Sequence, residues 1–334
     1  MIGLMLTILS LLPVVAVDAA PRSIDAPALW AGLVPGPHRV GYQRLDTSDG
    51  VVHAWYPTSA GASVLRVREY LGDDAEPTAS FLAQAGVSAR TIDSLLASAL
   101  FAAPSAPPLD GAFPLVLIAQ GNGQDVIDQV VLCEYLASQG FVVAATPSPM
   151  RRTPMEREDQ VGEFAERQAL DLERAIVTVA ERLPVDIERI GVVGHSFGAR
   201  SALLLAMRDR RVRAIVSLDG GIGTATAVEP FRRTPSFRPD APLPPLLHFY
   251  EELDSFMAPD FGLLRSLRTA ELILEPTEAM HHTHFTTWGF AAVRFPDLAA
   301  ATQATSGTPR AVVAVGERTA AFLERHLRER QDEW

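Results

Sequence analysis

From Phe113 onward the chain alternates short apolar runs with longer amphipathic ones, and this alternation restricts the available folds more than any other feature. "FPLVLIAQ" (113–120) is an apolar run of strand length, "DVIDQVVLCEYLASQG" (125–140) reads as a helix stopped by Gly140, and "FVVAATPSP" (141–149) as the next strand. "DQVGEFAERQALDLERAIVTVAERL" (159–183) carries apolar residues at three- and four-residue intervals with charges between them, the pattern of a helix that lays one face on a sheet. "RIGVVGHS", "VRAIVSLDG", "LPPLLHFYEE" and "TAELILEP" supply further strands, and "RAVVAVGERTAAFLERHL" closes the chain as a helix. Strands alternating with helices predict an α/β protein with a mostly parallel central sheet and helices on both faces.

Ahead of this repeat, "RVGYQRLDT" and "VVHAWYPTS" flank "SDG" with alternating β-branched and aromatic residues, which predicts an antiparallel N-terminal hairpin. Residues 61–112 read as an inserted cap or connector, with "TIDSLLASALFAA" (91–103) helical and "PSAPPLDGAFP" (104–114) a loop. The first residues, "MIGLMLTILSLLPVVAVDAAPR", hold an uncharged apolar run that ends in small residues, as a secretory signal does. The first basic side chain is Arg22, however, and Pro13 interrupts the run. The expectation is a signal peptide over residues 1–20, export to the periplasm or medium, and a single domain over 21–334; a misplaced start would leave the protein cytoplasmic. The run is too short to predict an integral membrane span.

With 334 residues, 48% of them hydrophobic, the chain has the material for one large core. A formal net charge of -11 with scattered arginines argues against a nucleic-acid partner, which would need clustered cations to meet phosphates. Cys133 is the lone cysteine, so neither an intramolecular disulfide nor a cysteine-built zinc site can form; its helical spacing among apolar residues places it in the core.

Within "ERIGVVGHSFGARSALLLAMRD", Ser196 lies between Gly194 and Gly198 where a buried strand becomes a helix. A serine on so tight a turn has strained backbone angles, and only small residues two positions away let the chain double back. The turn exposes the hydroxyl, and the helix beginning there aims free N–H groups and its dipole at any negative charge that develops nearby. Ser196 is therefore the candidate nucleophile. His195 adjoins it but should point away, so it receives no proton-transfer role.

A serine hydroxyl needs a base to take its proton, and the base needs an acid to orient it. Among the downstream histidines, His248 lies within a strand and is expected to be packed, and His326 lies among charges in the closing helix and is expected to be solvated. That leaves "EAMHHTHF", with His281, His282 and His284, on a loop after the last strand. Three histidines this close could ligate a metal, but nothing elsewhere completes a coordination sphere, so neither metal nor organic cofactor is expected. For the acid, Asp219 ends an apolar strand before two glycines, while Glu251, Glu252 and Asp254 follow the next strand; the first placement is the more constrained. The oxyanion hole should combine the N–H of Phe197 with that of Asn122 in "AQGNGQ", where Gly121 and Gly123 permit close approach.

These residues together resemble the α/β-hydrolase superfamily, and more narrowly the platelet-activating-factor acetylhydrolase and dienelactone-hydrolase-like serine esterases. The resemblance runs from "GPHRVGYQRL" and "VHAWYPTS" through "PLVLIAQGNG", "GHSFGARSALLLA" and "VSLDGG" to the histidine segment, over most of residues 35–330. It implies an acid after the strand that follows the nucleophile, hence Asp219, and a base in a His-x-x-Phe pattern, hence His282 ahead of Phe285, with His284 as runner-up. The chain departs from many relatives at Gln120, where they have histidine, and at Ala199, where they have a second glycine. The implied activity is cleavage of a small-molecule carboxylic ester through an acyl-enzyme, with Ser196, Asp219 and His282 catalytic. An acyltransferase, thioesterase or lactonase on the same residues is the first alternative, and a non-catalytic binding protein on a degenerate hydrolase scaffold the second.

Overall fold

The computed structural model describes residues 26–61, 63–253 and 257–328, so the expected signal peptide lies outside the described residues. The hairpin forms as read: β1 (Arg39–Thr47) pairs antiparallel with β2 (Gly50–Thr58), Arg39 opposite Thr58 and Thr47 opposite Gly50. Residues 61–112 contain three short helices, α1 (Val67–Leu71), α2 (Ala75–Gln84) and α3 (Ala89–Leu96), and the three-residue strand β3 (Ala102–Pro104). Here the sequence reading needs correction, because the helix expected over 91–103 ends at Leu96 and Ala102 and Ala103 pair in parallel with Val40 and Gly41. The cause is tertiary. The N–H groups of Phe101 and Ala102 donate to the Glu134 carboxylate, at 2.8 and 2.9 Å, instead of to carbonyls of a preceding helical turn.

The alternating part follows as β4 (Phe113–Ala119), α4 (Val130–Ser138), β5 (Val142–Ala145), α5 (Val161–Ala180), β6 (Val185–His195), α6 (Gly198–Arg208) and β7 (Val212–Leu218). After it come α7 (Val228–Arg232), β8 (Pro242–Leu243), β9 (Leu246–Tyr250), α8 (Gly262–Arg265), β10 (Arg268–Thr269) and β11 (Leu272–Pro276). The chain closes with α9 (Thr287–Arg294), α10 (Pro296–Ala301) and α11 (Thr308–Arg328). Among the described residues, nine strands form one sheet in the order β11-β9-β7-β6-β4-β5-β2-β1-β3, and β8 and β10 make a separate short pair. The strands from β5 to β11 within this sheet are parallel; β2 runs against both β5 and β1.

Side chains alternate across the sheet and divide the core in two. Leu115 and Leu117 of β4 pack with Phe164, Leu172 and Leu203 of α5 and α6, whereas Val116 and Ile118 pack with Leu136 of α4 and Leu323 of α11. Cys133 is fully buried on α4, in the core as its spacing predicts. From β4 the chain adds β5 on one side and β6 on the other. A crevice therefore forms at the carboxyl ends of β4 and β6, the usual place for ligands in an open α/β sheet.

Candidate active site

β6 ends at His195 and α6 begins at Gly198, so the turn between them consists of Ser196 and Phe197. Ser196 has φ 53°, a left-handed conformation that costs a residue with a side chain about 1–2 kcal/mol. It is held there from the next strand. Its N–H donates to the Leu218 carbonyl at 3.1 Å, and its own carbonyl accepts from Gly221 at 2.8 Å. The two glycines are required by close approach: a Cβ at Gly194 would lie 2.5 Å from the Ala199 Cα, and one at Gly198 would lie 2.0 Å from the Ala119 carbonyl oxygen. Any side chain at either place would force α6 away from the sheet.

His195 pairs with Leu218, so Ser196 and Asp219 occupy the next, adjacent positions at the ends of β6 and β7. Asp219 is also left-handed, with φ 44°, and its N–H donates to the Phe249 carbonyl at 2.9 Å. Its buried carboxylate accepts from His282 Nδ1 at 2.6 Å and from the Glu251 N–H at 3.3 Å. The alternative acids stand differently. Glu251 supports Asp219 through its backbone while its side chain accepts from the Leu253 N–H at 2.5 Å; Glu252 is exposed, and Asp254 lies outside the described residues.

His282 opens a short 3-10 turn, His282–Phe285, that follows β11 and brings the ring over the strand ends. His284 belongs to the same turn but points inward, where Nδ1 accepts from the His281 N–H at 2.9 Å. His248 is packed as expected, with Nδ1 2.8 Å from Ser217 Oγ, and burial pulls its imidazole down to about 3. His326 corrects the sequence reading, since it is buried rather than solvated: its ring centroid lies 4.6 Å from that of Phe322 and Nε2 lies 3.8 Å from Glu271. The charges around it in sequence point elsewhere, because the inward stripe of α11 extends through Phe322, Leu323, His326 and Leu327.

The proposed oxyanion donors follow neighbouring strands, Phe197 after β6 and Asn122 after β4. Phe197 is the N-cap of α6, where an N–H has no intrahelical acceptor, and Asn122 is exposed in the loop after β4. That loop is braced from within and from the loop after β5: Gly121 N–H donates to Gln124 Oε1 at 2.6 Å, and the Gln124 carbonyl accepts from the Ser148 N–H at 3.0 Å. At Gln120, one of the departures from relatives, the carbonyl accepts from Gln168 Nε2 at 3.0 Å, while the buried side-chain amide makes no hydrogen bond among the described residues. Sequence reasoning passed over Gln124 and the contacts of His195. Nothing local marks Gln124, whose partners become neighbours only through the sheet.

A cavity of about 1150 Å³ extends along α5 and the loop after β5; it reaches the 120–125 loop through Asp125 and is lined by Thr146, Arg152, Arg167 and Arg233. Neither Ser196, Asp219 nor His282 lines it. Among the described residues, no group of three or more His, Cys, Asp and Glu side chains is arranged to hold a metal ion, and no helix is long and apolar enough to cross a membrane.

A nine-stranded, mostly parallel sheet covered on both faces, with a strained serine turn at its centre, is the α/β-hydrolase fold. Residues 98–260 match the sequence profile of the dienelactone hydrolase family, so the resemblance drawn from the motifs holds. Ser196 and Asp219 fall inside that match and His282 beyond it. A solved structure of a ferulic acid esterase from Streptomyces cinnamoneus superposes with a TM-score of 0.65 over 87% of this chain and 91% of that one, at 22% identity. Chlorophyllase type 0 from Chenopodium album is 27% identical over 123 residues, 35% of this chain. The chain thus spans about a third of the length of that curated relative, 35% of it.

Proposed function

We propose that this protein is a serine hydrolase that cleaves carboxylic esters of small molecules through an acyl-enzyme. The observation that carries this reading is the 2.6 Å bond between Asp219 and His282 Nδ1, made beside a serine held left-handed at the end of the neighbouring strand. The names of the matched proteins support ester chemistry: a dienelactone is a cyclic ester, and a ferulic acid esterase acts on an ester.

With Nδ1 protonated and bonded to Asp219, proton transfer falls to His282 Nε2. Nε2 takes the Ser196 proton as Oγ bonds to the ester carbonyl carbon, and the carbonyl π electrons move to oxygen. The N–H groups of Phe197 and Asn122 receive that oxyanion. The C–O bond to the alcohol then breaks, Nε2 gives its proton to the departing oxygen, and a water repeats the sequence to release the acid and restore Ser196. Asp219 keeps its negative charge throughout and stabilises the imidazolium.

Labelling with a fluorophosphonate, followed by peptide mapping, together with turnover of p-nitrophenyl esters, tests the reading. The expected result is one adduct at Ser196, absent after Ser196→Ala along with turnover. Wild-type activity in purified Ser196→Ala would sink it. Product analysis with added alcohols separates hydrolysis from acyl transfer on the same residues.

A further inference from the structure

His195 is 2% exposed and lies between the two halves of the site. On one side its ring stacks on His282, centroids 4.7 Å apart and planes inclined by 27°, with Nε2 3.3 Å from the His282 carbonyl oxygen. On the other side Nδ1 lies 3.0 Å from Gln124 Oε1, the oxygen that also accepts the Gly121 N–H. Because a backbone N–H can only donate, this side-chain oxygen is fixed as an acceptor, and His195 must carry its proton on Nδ1 to bond it. In the neutral ring Nε2 is then bare. The link to His282 is accordingly ring stacking rather than a hydrogen bond.

We propose that His195 is a positioning residue that couples the oxyanion loop to the base, through the contacts Gly121, Gln124, His195 and His282. The inference rests on the reading of His282 as the base. A hydrogen bond at Nδ1 fixes one atom of the His282 ring but leaves rotation about that bond soft, whereas a stacked neighbour fixes the plane and hence the aim of Nε2. The same neighbour, through Gln124, sets the height of the Gly121–Asn122 backbone. Burial, and then the adjacent His282, hold the His195 imidazole well below its ordinary range, so it stays neutral while His282 becomes charged.

The test compares wild type, His195→Ala, His195→Asn and Gln124→Ala, together with the His195→Ala/Gln124→Ala double variant, on p-nitrophenyl acetate, with melting temperatures on the same samples. Misaiming a base by about an ångström can cost up to roughly a hundredfold. In His195→Ala, kcat should fall about tenfold to a hundredfold, with KM within about twofold. His195→Asn, whose amide nitrogen takes the place of Nδ1, should recover part of the loss. Gln124→Ala should add little in the double variant, because both changes cut one connection. Unchanged kcat in folded His195→Ala, or losses that multiply in the double variant, would overturn the proposal.

A readout without substrate separates this proposal from the functional reading. Gln124→Ala should shift the His282 ring resonances in NMR spectra, and the same substitution should leave them unmoved when His195 is alanine. Equal shifts in both backgrounds, or none in either, refute the coupling even if the enzyme reading stands. Absence of both turnover and Ser196 labelling in wild type would refute the enzyme reading, and the NMR comparison would still decide the coupling.

Discussion

Asp219 and Glu134 are both carboxylates withdrawn from water, yet they sit in different company. Asp219, at the carboxyl edge of the sheet, meets the His282 imidazole and the Glu251 N–H. Glu134, on α4 at the other side of the core, accepts from Trp30 Nε1, Tyr70 Oη and the N–H groups of Phe101 and Ala102 at 2.8 to 3.3 Å. These donors come from the N-terminal segment, α1 and the start of β3, so one carboxylate ties three pieces of the chain to α4. Their neutrality has a cost: burial outweighs the hydrogen bonds and pushes the Glu134 carboxyl up to about 7. A buried carboxylate beside a group that can take up charge suits chemistry. One among neutral donors suits architecture.

The largest effect that would break this comparison is at Asp219. Asp219→Asn should keep the Glu251 contact and the fold but lower kcat about 10⁴-fold, as the same change does in a serine protease. Steady-state kinetics alongside circular dichroism check both halves. Glu134→Ala should do the reverse. It strands four donors, three of them buried, at about 1 kcal/mol or more for each buried one, so denaturant titration should show a loss of about 3 kcal/mol or more, with turnover per folded molecule retained.

The pH dependence sharpens the contrast. Glu134 has its folded pKa raised from 4.5 to about 7, so its contribution is fully present below about pH 4.5 and is lost as pH rises through about 7. The stability of wild type relative to Glu134→Gln should therefore shrink by about 3 kcal/mol across that window, measured by urea titration at a series of pH values. A flat difference would mean that folding leaves the Glu134 carboxyl with its ordinary proton affinity. The smallest expected effect separates the two neighbouring histidines: His284→Asn preserves an acceptor for the His281 N–H, should cost about 1 kcal/mol, and should leave kcat within about threefold.

The Asp219 region was legible in the sequence because its signals are local. Gly194, Ser196 and Gly198 lie within five residues, and Asp219 closes an apolar run before two glycines. The strand and helix alternation was readable for the same reason, since periodicity reports which face of an element is buried. The Glu134 region was not legible. Its partner Trp30 lies 104 residues away, and the acceptor that ends the helix after Leu96 comes from another element. His326 misled because charge counted along the chain says nothing about which stripe of α11 turns inward. His195 carried the motif's signal, but its contacts depend on His282, 87 residues later.

The N–H of Ser196 bonds the end of β7, and the N–H of Asp219 bonds the end of β9. The proposed nucleophile and its proposed acid partner are thus the last rungs of a ladder that runs through the middle of the sheet rather than residues carried on a separate loop. In native-state hydrogen exchange, these two amides should be protected like those of the central strands, opening only when the sheet itself opens. On heating, the site would persist for as long as the sheet does, and the two would be lost in a single step.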